Sequence, residues 1–407
     1  MKKIALHWQI LIALVLAVIY GVLFPTGIEY VAWLGDLFLR ALKMVIIPLI
    51  LSSIISGVTG IGNVENLGRL GAKTLTYYVV TSTLAILIGL FLVNMITPGV
   101  GADLGFEKEI EGLAGGGRSL PETLLYIVPS NIFEAFYNSE MLSIIFFAIL
   151  FGFFITRVDD KYNVILTDFF NSVFEVMMKI TMFIIKFTPL GIFGIVAGVV
   201  GEQAGDAGAL LDLFGRLGLY SLTVILALLF HSLITLPIIL KVIGRSDPFK
   251  HFKAMTTPLL TAFSTSSSNA TLPLTMDAVE HNSGVSNKIT SFTLPLGATI
   301  NMDGTALYEC IAAMFIAQAY GVELGVVEQF IVVATALLAS IGAAGIPMAG
   351  LIMMSVILSA VGLPLEGVGL ILAVDRPLDM LRTTVNVWSD SCGAAVIAKT
   401  EGEELKI

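Results

Sequence analysis

The sequence predicts an all-α polytopic membrane protein with eight spanning helices and two re-entrant helical hairpins, arranged as inverted repeats. Three observations carry this expectation. The 407 residues are 56% hydrophobic and only 13% charged, with a mean hydropathy of +0.92, whereas a soluble domain carries roughly a quarter charged residues. Runs such as Trp8–Phe24, Leu75–Ile96 and Leu217–Leu240 approach or exceed the roughly 20 residues that cross a bilayer. The second half holds two apolar stretches interrupted by small and polar residues, each arm too short to cross alone. This composition excludes a soluble enzyme, a nucleic-acid binder and a secreted disulfide scaffold.

The first half reads as ordinary spans near 8–25, 30–59, 74–98, 125–156, 162–198 and 216–243. The fourth carries Pro129 and a polar patch, Asn131, Glu134, Asn138, Ser139 and Glu140, so it is expected to break. Met1-Lys2-Lys3 precedes the first run, but no small-residue cleavage site follows Phe24-Pro25, so the run reads as a retained helix. Lysine and arginine fall on alternate connections: Lys2 and Lys3, then Arg69 and Lys73, Arg157 and Lys161, and Lys241, Arg245, Lys250 and Lys253. The positive-inside rule then places both termini in the cytoplasm. The short connections point to a prokaryotic plasma (inner) membrane. Cys310 and Cys392 lie in apolar late segments and suggest no disulfide framework.

The interrupted stretches are Thr261–Pro273 and Ala339–Gly350. Each reads as a hairpin that enters and leaves by one face, and each is followed by a longer helix, near 287–320 and 366–400. Hairpin plus helix, repeated in corresponding positions, is the pattern of inverted-repeat transporters. Irregular backbone survives at membrane depth only where protein or a watery cavity surrounds it. The hairpin tips therefore point to a site.

The last helix carries the strongest chemical signal. Asp375, Asp379, Arg382, Asn386 and Asp390 recur at spacings of four, three, four and four, which places them within about 80° on one helical face. Each ionised group at the bilayer centre costs about 2.5–3.5 kcal/mol on insertion scales. Such a stripe must face the interior and bind something charged, or form an ion-pair ladder between helices. Asn301-Met-Asp-Gly-Thr305 interrupts the preceding apolar helix. Gly304 with Asn301 and Asp303 predicts local unwinding, which offers a small hard cation the oxygen ligands it prefers; a plain kink with a structural aspartate is the alternative. His7, His231, His251 and His281 are scattered without metal-ligand spacing.

Asn301-Met-Asp-Gly-Thr305, the serine-rich Ser264–Pro273 tip and Asp379-x-x-Arg-Thr-x-x-Asn-Val-x-x-Asp390 together resemble the glutamate transporter family. These dicarboxylate/amino acid:cation symporters include excitatory amino acid transporters and prokaryotic aspartate transporters. The resemblance covers essentially the whole chain, and it implies a homotrimer working by elevator-type alternating access. Residues 1–73 (helices 1 and 2) and 99–198 (helices 4 and 5) would form a scaffold. Helix 3 (74–98) and residues 216–407 would form a transport domain, with hairpin 1 at about 255–280 and hairpin 2 at about 329–362.

For the substrate, an acidic amino acid, the resemblance assigns Arg382 to the side-chain carboxylate, where a guanidinium fork fits, and Asp379 to the ammonium. Asn386 with Thr383 would bind the backbone carboxylate and ammonium region, and Thr305 the side-chain carboxylate. The tips would add Ser266, Ser267 and Ser268 from the first hairpin, and Ile346, Pro347 and Gly350 from the second. Three sodium sites carry over. One joins Asp390 to carbonyls of Gly297, Asn301 and Asn386. A second uses carbonyls of Thr299, Ser340, Ile341 and Ala343. The third joins Tyr78, Thr81 and Ser82 to Asn301 and Asp303.

Glu309 lies inside apolar Ala306–Ala319, where loss of hydration disfavours a charged carboxylate. It is placed to load and unload a proton, and its position resembles the glutamate of proton-coupled animal members; a standing pair with an arginine is the alternative. Where many prokaryotic members have an arginine at the first tip this chain has Ser266, and where animal members have one after the substrate aspartate it has Met380. Arg376, three residues before Asp379, is the candidate for the missing charge. The expected function is sodium-coupled import of aspartate or glutamate with a proton, not enzymatic. A proton-coupled C4-dicarboxylate carrier on the same fold is a rival, and an intramembrane serine hydrolase a remote one, since no Gly-x-Ser-x-Gly elbow is present.

Overall fold

The computed structural model describes residues 6–62, 69–102, 125, 127–202, 207–342 and 349–407. Among these the regular structure is helical throughout, with no strand. The first helices are α1 (Leu6–Leu23), α2 (Glu29–Gly62) and α3 (Arg69–Ile96). The fourth expected span is broken, as its polar patch requires. Asn131 caps α4 (Ile132–Tyr137) through Phe133 N, and Ser139 turns at positive φ before α5 (Met141–Ile155).

The 162–198 segment departs from a single span. It divides into α6 (Asp160–Ile185) and α7 (Thr188–Glu202), bent by 53° around Lys186 and Phe187. A proline at the second residue of α7 lacks the amide needed to continue the α6 ladder. Among the described residues three helices are each long and apolar enough to cross a membrane, Glu29–Gly60, Arg69–Ile96 and Leu211–Val242, and the bent pair counts as a fourth if it is taken as one span.

Helix α8 (Ala207–Phe230) passes through a π turn, His231–Thr235, into α9 (Leu236–Val242). After α10 (Pro248–Ala254), hairpin 1 follows as α11 (Thr256–Thr265) and α12 (Ser268–Asp277). The next helix is broken into α13 (Asn287–Ile300) and α14 (Asp303–Ala319). The stretch expected as hairpin 2 supplies α15 (Val326–Gly342) and α16 (Ala349–Ala360), which pack on each other; the first is longer than the sequence break suggested, and 343–348 lie outside the described residues. The chain closes with α17 (Val368–Thr400).

Packing decides where the site sits. Every residue of α14 from Asp303 to Ala317 is buried, because α3, α8, α15, α16 and α17 surround it. In the other group α1 packs on α7, and α2 on α5, α6 and α7. The backbones of α2 and α7 touch: a Cβ on Gly194 would lie 2.5 Å from Gly35 N, so only glycine permits the crossing. Outward faces carry bare apolar side chains such as Trp8, Met44, Phe169 and Phe183, as lipid-facing helices do.

The carboxyl end ties the base of the bundle. Lys406 N donates to Ser283 O at 3.0 Å, and Glu403 accepts from Ser286 N at 2.9 Å and from Ser286 Oγ. Glu401 receives Lys73 Nζ at 2.6 Å and Arg69 Nη2 at 2.7 Å, which holds its carboxyl at about 2, well below the usual range. A depressed carboxyl stabilises above the unfolded value of about 4.3 and loses that contribution as pH falls through its folded value. The tie is therefore intact at neutral pH and opens as pH drops toward 2. Glu401→Gln combined with Glu403→Gln should expose the tail to carboxypeptidase at pH 7, read as faster loss of terminal residues by mass spectrometry.

Candidate functional site

The site begins where α13 stops. Asn301 (φ −96°, ψ 78°) and Met302 (φ −108°, ψ 59°) leave the helical region, so the expected unwinding is present. Asp303 opens α14, where a carboxylate is favoured by the free amides and the helix dipole. It is wholly buried. Its Oδ1 accepts Ser82 Oγ at 2.6 Å, with Thr81 Oγ1 at 3.3 Å. Its Oδ2 accepts Ser389 Oγ at 2.6 Å and lies 3.1 Å from His231 Nε2.

Tyr78, Thr81 and Ser82 reach this point because α3 buries residues at helical spacing, Thr74, Tyr77, Tyr78, Thr81, Ser82 and Ala85. Thr81 Oγ1 stands within 3.1–3.3 Å of Tyr77 O, Tyr78 O, Asn301 Oδ1 and Asp303 Oδ1. A threonine hydroxyl has one hydrogen to give, so acceptor oxygens crowd here beyond the donors available. Such crowding suits a hard cation. Tyr78 OH itself donates to Thr293 O at 2.6 Å.

Asp390 belongs to the same network. Asn301 Nδ2 donates to its Oδ1 at 2.9 Å and to Ser389 Oγ at 3.1 Å. Gly297 is needed opposite: its Cβ would lie 2.5 Å from Asp390 Oδ1 and 2.8 Å from Tyr78 OH. Asn386 joins this region to the next, since its Oδ1 accepts Gly304 N at 2.8 Å and its Nδ2 donates to Thr305 Oγ1 at 3.1 Å.

Along α17, the inward stripe is as the spacing predicted: Asp375, Asp379, Arg382, Thr383, Asn386 and Asp390 are all buried. Arg382 Nη2 pairs with Asp379 Oδ1 at 2.8 Å and Asp375 Oδ1 at 3.0 Å. Its guanidinium carbon lies 3.7 Å from the Tyr308 ring centroid, and Tyr308 OH donates to Asp375 Oδ1 at 2.8 Å. Arg382 Nε and Nη1 have no hydrogen-bond partner among the described residues. Gly350 of hairpin 2 comes close to them: a Cβ there would lie 2.7 Å from Nη1 and 3.6 Å from Thr305 Cγ2. Arg376 Nη1 reaches Asp379 Oδ2 at 3.3 Å from the outer side.

Hairpin 1 packs on α17. Ser266 at its tip is left-handed (φ 51°, ψ 39°), and Ser267 caps α12 through Ala270 N. Ser266 Oγ is buried without a partner among the described residues, and Ser268 is buried beside it. Strained, non-glycine backbone of this kind concentrates at functional sites. Helix α13 packs on α15; the Thr299 and Ser340 hydroxyls donate to carbonyls of their own helices, Leu296 O at 3.0 Å and Leu337 O at 2.8 Å. For Ile341 the backbone is helical; Ala343, Ile346 and Pro347 lie outside the described residues.

Glu309 is fully buried, and neither of its oxygens has a hydrogen-bond partner among the described residues. Among the described residues no arginine lies within ion-pair distance of it. Sequence reasoning missed the roles of His231 and Tyr308, and it treated Asp375 only as part of the stripe. No group of three or more His, Cys, Asp or Glu forms a metal cluster among the described residues, and both cysteines are free.

A model of the sodium:dicarboxylate symporter family matches residues 6–400. The chain is 36% identical to a proton/sodium-glutamate symport protein of Geobacillus stearothermophilus, over 99% of this chain and 96% of that protein. It is 34% identical to a proton/glutamate-aspartate symporter of Escherichia coli K12 (98% and 93%) and 36% identical to excitatory amino acid transporter 3 of mouse (98% and 87%). The chain belongs to the sodium:dicarboxylate symporter family.

Gly304 tests the tightness of this site. A Cβ there would lie 2.7 Å from Arg382 O and 3.1 Å from Asn386 Oδ1. Gly304→Ala should lower stability by about 1–3 kcal/mol, the usual cost of overpacking, read as a lower melting temperature in detergent. Gly198→Ala, where a Cβ meets nothing within 4 Å, should leave the temperature unchanged.

Proposed function

We propose that the protein is a sodium-coupled secondary symporter for aspartate and glutamate that also carries a proton. The observation that carries this reading is the buried Arg382, with two nitrogens unused among the described residues, about two helix turns before Asp390 and linked through Asn386 to the first turn of α14. A substrate side-chain carboxylate takes the free edge of Arg382 and Thr305, while Asp379, released from Arg382, receives the ammonium. Asn386 and Thr383 hold the backbone carboxylate region. The serines at 266–268, with Ile346, Pro347 and Gly350, cover the substrate from the two tips.

Sodium ions are cargo held by oxygen. One is bound by Asp390 with the Gly297, Asn301 and Asn386 segments, and one by Thr81, Ser82, Tyr78, Asn301 and Asp303. A third is bound by carbonyls of Thr299, Ser340, Ile341 and Ala343 when hairpin 2 closes. Coupling follows from shared parts. Asn386 fixes Gly304 and Thr305 with one side chain, so an ion that orders Asn301–Asp303 also orders the substrate pocket. Mutual stabilisation of this kind is reciprocal by thermodynamic necessity.

Helices α3 and α8–α17 form the moving transport domain, and α1, α2 and α4–α7 the trimeric scaffold, eight spans and two hairpins in all. Both termini face the cytoplasm of a plasma membrane. The E. coli relative is named for glutamate and aspartate, and Asp379 favours a substrate with an ammonium over a plain C4-dicarboxylate. Excess aspartate should therefore abolish uptake of labelled aspartate into proteoliposomes while succinate does not; the reverse order of competition overturns the substrate assignment. A protein of this class has no enzymatic step to perform.

Arg382→Ala should weaken uptake by about thirtyfold or more, since removing one partner of a buried charge pair costs about 2–5 kcal/mol. Glu309→Gln should keep sodium-driven uptake and lose its response to an imposed pH difference. An unchanged pH response rules out Glu309 as the proton carrier.

A further inference from the structure

The outer side of the site helix borders a second feature. A cleft of about 200 Å³ lies between α8, its π turn, hairpin 1 and α17. Leu229, Leu233, Phe252, Leu381, Val385 and Trp388 form most of its wall. Trp388 Nε1 donates to Ser232 O at 3.0 Å across the floor, which leaves the lining apolar. Its mouth is open to the lipid side, where Leu229, Leu233 and Phe252 are between 45% and 63% exposed. An apolar cleft gives water few polar partners, and apolar matter is the better occupant.

Charge is concentrated on the segment that contributes Phe252 to its wall. Lys250 and Lys253 flank Phe252 on α10, and Lys241 and Arg245 lie just before them at the end of α9. All four are exposed, and none has a carboxylate partner within 4.0 Å among the described residues. Asp247 is the one acid between Lys241 and Lys253, in a chain whose net charge is −9. Exposed Val242, Ile243 and Phe249 are interleaved with these cations, a composition that settles at headgroup depth. Membrane topology alone asks for basic residues on this connection, but it does not ask for an apolar cleft beside them.

We propose that the cleft seats one acyl chain of an anionic phospholipid whose headgroup is held by Lys250 and Lys253, with Lys241 and Arg245 at the rim. Clustered Lys and Arg beside a spanning helix attract anionic headgroups, and the cleft gives the same lipid a place for its tail. The lipid would lie against the back of the helix that carries Arg382 and Asn386. The π turn links the two sides directly, since His231 points inward to Asp303 while Ser232 and Leu233 face the cleft.

The test is native mass spectrometry of the full-length protein purified with an equimolar mixture of phosphatidylglycerol and phosphatidylcholine. The wild type should retain phosphatidylglycerol in preference to phosphatidylcholine. Lys250→Gln with Lys253→Gln should reduce that retention by about fivefold for each lysine removed. Leu233→Trp, which fills the mouth of the cleft, should reduce it to a similar degree. Lys161→Gln with Lys179→Gln, exposed cations elsewhere, should change nothing. Equal retention of the two lipids, or retention unaffected by the Lys250 and Lys253 changes, overturns the proposal. Loss in the lysine variant with full retention in Leu233→Trp also overturns it, because it leaves surface attraction without a seat for the chain. Where Leu233→Trp fails to fold, Leu233→Ser makes the exposed mouth polar without adding bulk, and full retention there beside loss in the lysine variant overturns the proposal in the same way.

Discussion

A carboxyl group without solvent exposure, deep among packed helices, must have its oxygens satisfied by its neighbours. Asp303 meets that requirement with Ser82 from α3, Ser389 from α17 and His231 from the π turn after α8. Three elements distant in sequence are thereby fixed around the first turn of α14. Most of the remaining architecture can be understood as the means of holding that turn. Helix α14 is enclosed on all sides, the chain before it is unwound, and the π turn shifts His231 into reach.

The same arrangement explains why the interior is organised in two zones on one helix. Toward its carboxyl end α17 presents Ser389 and Asp390 to an oxygen-rich corner. About two to three turns earlier it presents Arg382 and Asp379 to a pocket beside Gly350 and Thr305. Asn386 stands between them and bonds to both. Under the proposed function, ion and organic anion meet through one amide and one start of a helix. Selectivity and coupling need not be separate devices.

The polar stripe of α17 was legible because each charge in an apolar helix demands a partner, and a helical period shows which charges share a face. The Asn301–Thr305 break was legible for a similar reason, since glycine and two polar residues have no purpose in a sealed helix. His231 was not legible. It sits alone in an apolar run, and its partner Asp303 is 72 residues further on, so no spacing announced the pair. Tyr308 was hidden because a tyrosine in a buried helix looks like packing until its ring is found under a guanidinium. The bend at Lys186 was missed because the apolar pattern runs through it. The Tyr78–Ser82 set looked like ordinary small polar residues and gained meaning only from resemblance.

The meeting of α2 with α7 at Gly35 and Gly194 has a mechanical implication. Helices in lipid are drawn together by close packing more than by exclusion of water, and two backbones in direct contact offer no side-chain layer that can reshuffle. These two rods must travel, or stay still, as one piece. Any sliding that alternates the site between the two faces of the bilayer is thus pushed outward to seams cushioned by side chains, where α2 and α7 touch α15, α16 and α17. Glycine in one place would set where the rest of the molecule is free to shear.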